Sequence, residues 1–243
     1  MDIAIINAED ESGNVVKNII RTVEKEITSE LSEVNLEGVT SKGSMFRKSV
    51  FEYLSIDTKY KNNRLIVEIN SFANPFPYQL CTINSFIYDF LNATNNLEYI
   101  KHYSLHPFTI NVLKKEQTLL EKLISLIRFS FAKDTVQSIS TKIRHFYDLY
   151  YLINDSEGNK FVKSAEFNKR FHEILEHDKK LFDEPENWQS KQLTESPLIT
   201  DFTNIWQQLK EQYKTELSAL AFSEIPDEGK VSKCFMQLLK YIK

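Results

Sequence analysis

At 243 residues, with 42% apolar and 26% charged side chains, the chain can bury a sizeable core and is too apolar to be largely disordered. Its formal net charge of −4 argues against broad electrostatic binding of nucleic acid, and leaves room for a local basic cleft that takes a triphosphate or an RNA end. Cys81 and Cys234 form neither a CxxC pair nor a Cys/His set, so no disulfide framework and no zinc site are expected, and a reducing cytoplasm is the expected setting. No apolar run approaches ~18 residues and no basic-then-apolar leader opens the chain, so no membrane span is predicted. Five glycines and six prolines favour long elements with few tight turns.

In chain order, Asp2–Asn7 (DIAIIN) is a β-branched strand, and the polar stretch after it leads into a helix over Val15–Leu31. Val16, Ile19, Ile20, Val23, Ile27 and Leu31 keep helical spacing there. Leu36–Thr40 and Met45–Leu54 alternate loosely as antiparallel strands around a turn at Ser41-Lys42-Gly43-Ser44, and Arg47 and Lys48 give the second strand a basic character. Arg64–Phe72 is the clearest strand. Leu65, Val67 and Ile69 share one face and Ile66, Glu68 and Asn70 the other; Glu68 is costly if buried without a partner, and the alternation equally allows an outward edge residue. Asn74-Pro75-Phe76-Pro77 breaks that strand, and Tyr78–Ile83 resumes extended structure. Ser85–Asn92 reads as a short helix with Phe86, Ile87, Phe90 and Leu91 inward. After a turn at His106-Pro107, Phe108–Leu113 is the last strand; His102 and His106, with no carboxylate nearby, read as structural.

Leu119–Asn154 reads as two long helices joined near Lys133-Asp134. In the first, Leu119, Leu120, Leu123, Leu126 and Ile127 form a core stripe, while Lys122, Ser125 and Phe129 follow a second track with Arg128 beside it. In the second, Ile139, Ile143, Phe146, Tyr150 and Ile153 pack, and Thr141, Arg144, His145 and Asp148 fall opposite. The plain reading of that polar side is an Arg144–Asp148 ion pair on a wet face, contributing about 0.3–0.5 kcal/mol. Beyond it, 155–159 reads as a loop and Ser164 caps a helix to about Phe182. A polar connection containing Trp188 precedes two more helices, Leu198 to about Phe222 and Asp227–Ile242, and Trp206, Leu209, Tyr213, Leu217 and Leu220 are expected in the core.

Two runs carry a resemblance: Thr118-Leu119-Leu120-Glu121-Lys122-Leu123 followed by Arg128, and Arg144-His145-Phe146-Tyr147-Asp148-Leu149-Tyr150. Together they resemble the two C-terminal motifs of the AbiEii/AbiGii nucleotidyltransferase-like toxins, an E-K-L helix with a downstream Arg and an R-x-(K/H)-(D/x)-x-x-D-L helix. Asp148 is the firmer match and His145 the weaker, since the first Asp of the second motif is missing. Met1-Asp2-Ile3-Ala4-Ile5 resembles the end of the family's S-x-D-x-D-hydrophobic strand, with Asp2 as its second carboxylate, and Glu68 matches the third by order and setting. The first carboxylate would lie before Met1. The family's phosphate-cradling Gly-Gly or Gly-Ser element would also lie upstream; Gly43-Ser44 comes too late in the chain to be it and reads as a turn.

The resemblance implies an α+β fold: a nucleotidyltransferase-like lobe with a mixed sheet over residues 1–114, a helical lobe over 115–243, and the cleft between them. By that analogy Asp2 and Glu68 hold Mg²⁺ or Mn²⁺, Lys122 and Arg128 meet the phosphates of an NTP, and Asp148, oriented by Arg144, faces the nucleotide or the attacking hydroxyl. The implied reaction moves a nucleoside monophosphate from NTP to a hydroxyl of a tRNA or of a protein, as the toxin of a pair whose cognate antitoxin is separately encoded. The alternative is a catalytically incomplete scaffold that keeps the fold and acts as a binding or interaction module.

Overall fold

The computed structural model describes residues 2–4, 13–29, 31–54, 63–71, 77–221 and 224–242, with residues 2–4 and 13 as backbone. The chain forms two compact units, residues 1–76 and 77–243. Among the described residues no helix is long and apolar enough to cross a membrane.

The first unit holds β1 (Asp2–Ala4), α1 (Gly13–Ile27), β2 (Ser32–Val34), β3 (Ser41–Lys42), β4 (Phe46–Glu52) and β5 (Arg64–Asn70). These strands make one mixed sheet in the order β1-β5-β4-β2, with β3 also on β4. β1 runs parallel to β5, and the other pairings are antiparallel. The alternation of β5 is as the sequence implies: Val67 and Ile69 are buried with Phe51, Val16 and Ile20, so α1 covers that face of the sheet. Residues 5–7 of the expected first strand, and the break at Asn74-Pro75-Phe76, lie outside the described residues.

The hairpin differs in detail. Residues 37–39 form a turn and Ser41–Lys42 are strand, so the reversal falls at Gly43-Ser44-Met45. A Cβ on Gly43 would sit 2.9 Å from the Phe46 carbonyl oxygen, which is why glycine occupies the tightest point. α1 ends four residues earlier than its apolar spacing suggested; Leu31 lies beyond it, and Ile27 is exposed.

The second unit opens with β6 (Tyr78–Ile83), α2 (Phe86–Ala93), α3 (Leu97–His102) and β7 (Phe108–Leu113), where β6 and β7 pair as a separate two-stranded antiparallel sheet. The helical body follows: α4 (Lys115–Ser130), α5 (Thr135–Ser140), α6 (Arg144–Asn154), α7 (Ser156–Val162), α8 (Ala165–Leu181), α9 (Pro197–Thr200), α10 (Phe202–Leu220) and α11 (Glu228–Leu239). Its core runs from Leu119, Leu120, Leu123 and Ile127 on α4 through Phe146 on α6 to Trp206 and Tyr213 on α10. Phe146 meets Trp206 and Phe235 edge-on, at ring-centroid distances of 5.1 and 4.9 Å, so aromatic contacts join α6, α10 and α11.

Several expectations need correction here. The second long helix is two, α5 and α6, broken at residues 141–143. Residues 156–162 are helix because Asp155 caps them, accepting from the backbone N–H groups of Glu157 and Gly158. Gly158 is required there, since a Cβ would lie 1.8 Å from the Leu152 carbonyl oxygen. Phe86, Ile87 and Phe90 on α2 are exposed and not inward, Phe86 at 92%. Leu220 is also exposed. On α6 Tyr150 is only half-buried, and Leu149 is buried with Phe146 and Ile153; the rest of the α4, α8 and α10 stripes are buried as their spacing requires.

Candidate functional site

In the first unit the sheet sets the geometry. The parallel register pairs Asp2 with Glu68, which puts two acidic residues at adjoining positions of neighbouring strands, about 4.7–4.9 Å apart. Across the other edge of β5, Glu68 is opposite Lys48, whose Nζ lies 2.6 Å from Glu68 Oε1. Glu68 is therefore half-buried and compensated, neither stranded in the core nor free. Both residues are hard oxygen donors of the kind a divalent ion takes, so the pair fits such an ion in chemistry and in register. Among the described residues no group of three or more His, Cys, Asp or Glu could hold a metal.

A further carboxylate in this unit was missed in the sequence. Glu24, four residues after Ile20 on the buried face of α1, is 7% exposed and is met by Arg47 and Lys42, at 2.6 and 2.9 Å, and by the Ser49 hydroxyl. Burial alone would raise its pKa; hydrogen bonds from Arg47, Ser49 and Lys42 outweigh that and hold it below the ordinary value. The residues that give β4 its basic character are thus divided: Arg47 anchors α1, and Lys48 serves Glu68.

In the second unit the two helices singled out by motif pack side by side. Lys122 Nζ of α4 lies 2.7 Å from Asp148 Oδ2 of α6. Asp148 thus pairs across the helix seam, whereas Arg144, one turn away on its own helix, is exposed and makes no ion pair with it. This ion pair sits in an open cleft of about 520 Å³ lined by Thr118, Lys122, Tyr147, Asp148, Tyr151 and Leu152. Helical spacing explains the lining: Thr118 and Lys122 are four apart on α4, and Tyr147 and Tyr151 are four apart on α6, beside Asp148 and Leu152.

His145 precedes Tyr147 and Asp148 on α6 and does not line the cleft. Its Nδ1 is buried with no protein hydrogen-bond partner. Burial, reinforced by the positive charges of Lys122, Lys142 and Arg144, pushes its pKa down to about 3, so the ring is neutral at physiological pH.

The remaining motif residues hold the helices together. Glu121 accepts from Gln117 Nε2 at 2.9 Å, and Gln117 accepts from Arg170 Nη2 of α8 at 2.8 Å; burial raises the Glu121 pKa against that hydrogen bond. Arg128 is stacked in an aromatic cage, its guanidinium carbon 3.8 Å from the centroid of Phe182 and 5.8 Å from that of Trp188. Its Nε and Nη1 are buried without hydrogen-bond partners. Burial lowers its pKa, which the charge of Asp178 opposes.

A family model described as the nucleotidyl transferase AbiEii toxin of type IV toxin–antitoxin systems matches residues 1–228. The chain belongs to this family. The match covers both units, and it makes the protein a nucleotidyltransferase-like toxin. No match is found among curated proteins or among solved structures. Nucleotidyltransferases of this family use NTP and divalent metal, and the toxin–antitoxin pairing brings with it an antitoxin partner. Within the run Glu121-Lys122-Leu123, Leu123 is core, Glu121 is committed to Gln117, and Lys122 alone lines the cleft.

Proposed function

We propose that this toxin transfers a nucleoside monophosphate from an NTP to a hydroxyl of RNA, with tRNA the first acceptor to test, or of a protein. The observation that supports it most is the Lys122–Asp148 pair lining an open cleft at the seam of the two motif helices. A cation and a carboxylate held in contact suit the two ends of the reaction. The Lys122 ammonium would meet the triphosphate oxygens, and Asp148, released from Lys122 as phosphate takes its place, would accept the hydrogen bond of the attacking hydroxyl. The hydroxyl oxygen bonds to the α-phosphorus as the bond to the pyrophosphate oxygen breaks in line, and the hydroxyl proton leaves to the carboxylate. Arg144, exposed one turn before Asp148, would orient an acceptor phosphate.

Asp2 and Glu68 would hold Mg²⁺ or Mn²⁺, which supplies charge neutralisation at phosphorus and on the departing pyrophosphate. Lys48 would give up Glu68 when the ion binds. We assign the nucleotidyltransferase lobe to residues 1–114 and the helical lobe to 115–243, acting in the cytoplasm with a cognate antitoxin. Arg128, given its cage, would support the phosphate site by fixing α4 and not by contact.

The test is transfer from each labelled NTP, with Mg²⁺ or Mn²⁺, onto total RNA and onto the protein itself, with Lys122→Ala and Asp148→Asn as controls. Transfer by the parent chain and its loss in both variants is the expected result. A folded parent chain that labels nothing would instead leave the reading of an incomplete scaffold.

A further inference from the structure

The cleft beside Lys122 is half aromatic, and it does not end at Asp148. A second hollow of about 400 Å³, lined by Lys115, Tyr151, Leu152, Asn154 and Asp155, shares Tyr151 and Leu152 with the first. The two form one groove along the α4–α6 seam with a lysine at each end. Lys115 and Lys122 are seven residues apart on α4, about 10 Å along the helix axis. Tyr151 stands between them. The residue is 46% exposed, yet its ring is braced by two neighbours: Tyr147 meets it edge-on at 4.9 Å and 62°, and Tyr150 at 5.5 Å and 89°. An aromatic ring held in place by its neighbours and left open to a cleft is a stacking surface.

We infer that Tyr151, braced by Tyr147 and Tyr150, is a nucleobase platform for the nucleotide whose phosphates meet Lys122, an inference that rests on the function proposed above. The polar groups nearest the ring are already engaged. Lys115 and Asp155 are paired with each other at 2.8 Å, Asp155 also caps α7, and Asn154 Nδ2 donates to the Tyr150 carbonyl at 2.7 Å. That leaves Asn154 Oδ1 as an acceptor, and one acceptor does not make the donor–acceptor pattern that tells the bases apart. Stacking without edge readout accepts every base, because each has a π-face, and favours the larger purines. The platform therefore binds nucleobases as a class.

Calorimetric titration of the full chain with inorganic tripolyphosphate, ATP and CTP, each with Mg²⁺, tests this on the parent, Tyr151→Ala and Tyr151→Phe. Stacking is worth enough that Tyr151→Ala should weaken ATP at least fivefold while leaving tripolyphosphate within twofold. Tyr151→Phe, which keeps the ring, should match the parent, and ATP should bind no more than a few-fold tighter than CTP. Equal weakening of ATP and tripolyphosphate, no weakening of either, or a strong preference for one base would overturn the platform while the phosphate site at Lys122 stands. A parent chain that binds neither ATP nor tripolyphosphate would overturn both.

Discussion

Lys122 Nζ and Asp148 Oδ2, 26 residues apart in sequence, lie 2.7 Å apart across the α4–α6 seam. Their side chains are 26% and 35% exposed, so the pair contributes only about 0.2–1 kcal/mol to stability. Its meaning is in competition: in the nucleotide-free chain the carboxylate occupies the ammonium that a phosphate would need. Asp148→Asn removes that competitor together with the proposed proton acceptor. We expect the variant to bind tripolyphosphate more tightly than the parent and to transfer nucleotide at least a hundredfold more slowly. Lys122→Ala should weaken both. Equal effects of the two substitutions on binding would show that Asp148 does not hold Lys122 back.

Glu24 is the electrostatic anchor of the first unit. Replacing it by Gln leaves Arg47, with its side chain only 13% exposed, without its counter-charge, a change of the kind that costs about 3–5 kcal/mol when a buried pair is broken. The pH dependence has a definite sign. The carboxyl is held below its unfolded value of 4.5, so its stabilisation is complete above that pH and is lost as pH falls through the folded value. Chemical denaturation of the parent and Glu24→Gln at pH 7 and at pH 3 should show the difference between them shrinking at the lower pH. A gap that stays constant would mean the charge on Glu24 is not what holds α1 to β4.

His145 also costs stability as pH falls, but over a higher range. Its folded pKa of about 3 lies far below the free value of 6.5, so the unfolded chain takes up a proton first as pH falls. No stability is lost to this group above about pH 6.5; between there and about pH 3 it destabilises the fold by up to about 1.4 kcal/mol per pH unit. His145→Gln should flatten the stability profile between pH 6.5 and 5, above the range where most carboxylates titrate. NMR titration of the parent's imidazole should find no protonation in that interval, and a midpoint near 6.5 would contradict the burial argument.

Arg128 tests the division between support and contact. Arg128→Lys keeps the charge and loses the planar group over Phe182 and Trp188, so thermal or denaturant unfolding should show a loss of about 1 kcal/mol. Tripolyphosphate affinity should stay within twofold of the parent. A large loss of affinity at unchanged stability would put the guanidinium on the phosphates.

The elements whose neighbours are close in sequence were legible. The β5 alternation, the α4 stripe and the α8 face follow from periods of 2 and 3.6, and the motif helices were found where Lys122 and Asp148 needed them. What failed depended on distant chain. Spacing offered Asp148 a partner on its own helix, Arg144, and could not show that Lys122 is nearer. Glu24 drew no notice because Arg47, Lys42 and Ser49, which make its burial possible, come from the hairpin. Phe86, Ile87 and Phe90 read as inward because periodicity finds an apolar face without showing that anything covers it. Asp155 was visible as a cap only in retrospect, since the Asp-Ser-Glu-Gly-Asn run that starts α7 has the composition of a loop.

The segment from Tyr78 to Leu113 has a consequence of its own. Leu80, Phe86, Phe90, Tyr103 and Phe108 are exposed by more than half, and Ile100 is its one buried large hydrophobic among the described residues. A two-stranded sheet with two short helices has little to hold it closed beyond its own backbone ladder. Local opening there should cost far less than unfolding the α4–α10 core. In heavy water the amides of β6 and β7 should therefore exchange well before those of Leu120, Leu123 and Tyr213, dividing the second unit into a fast and a slow part along a single chain.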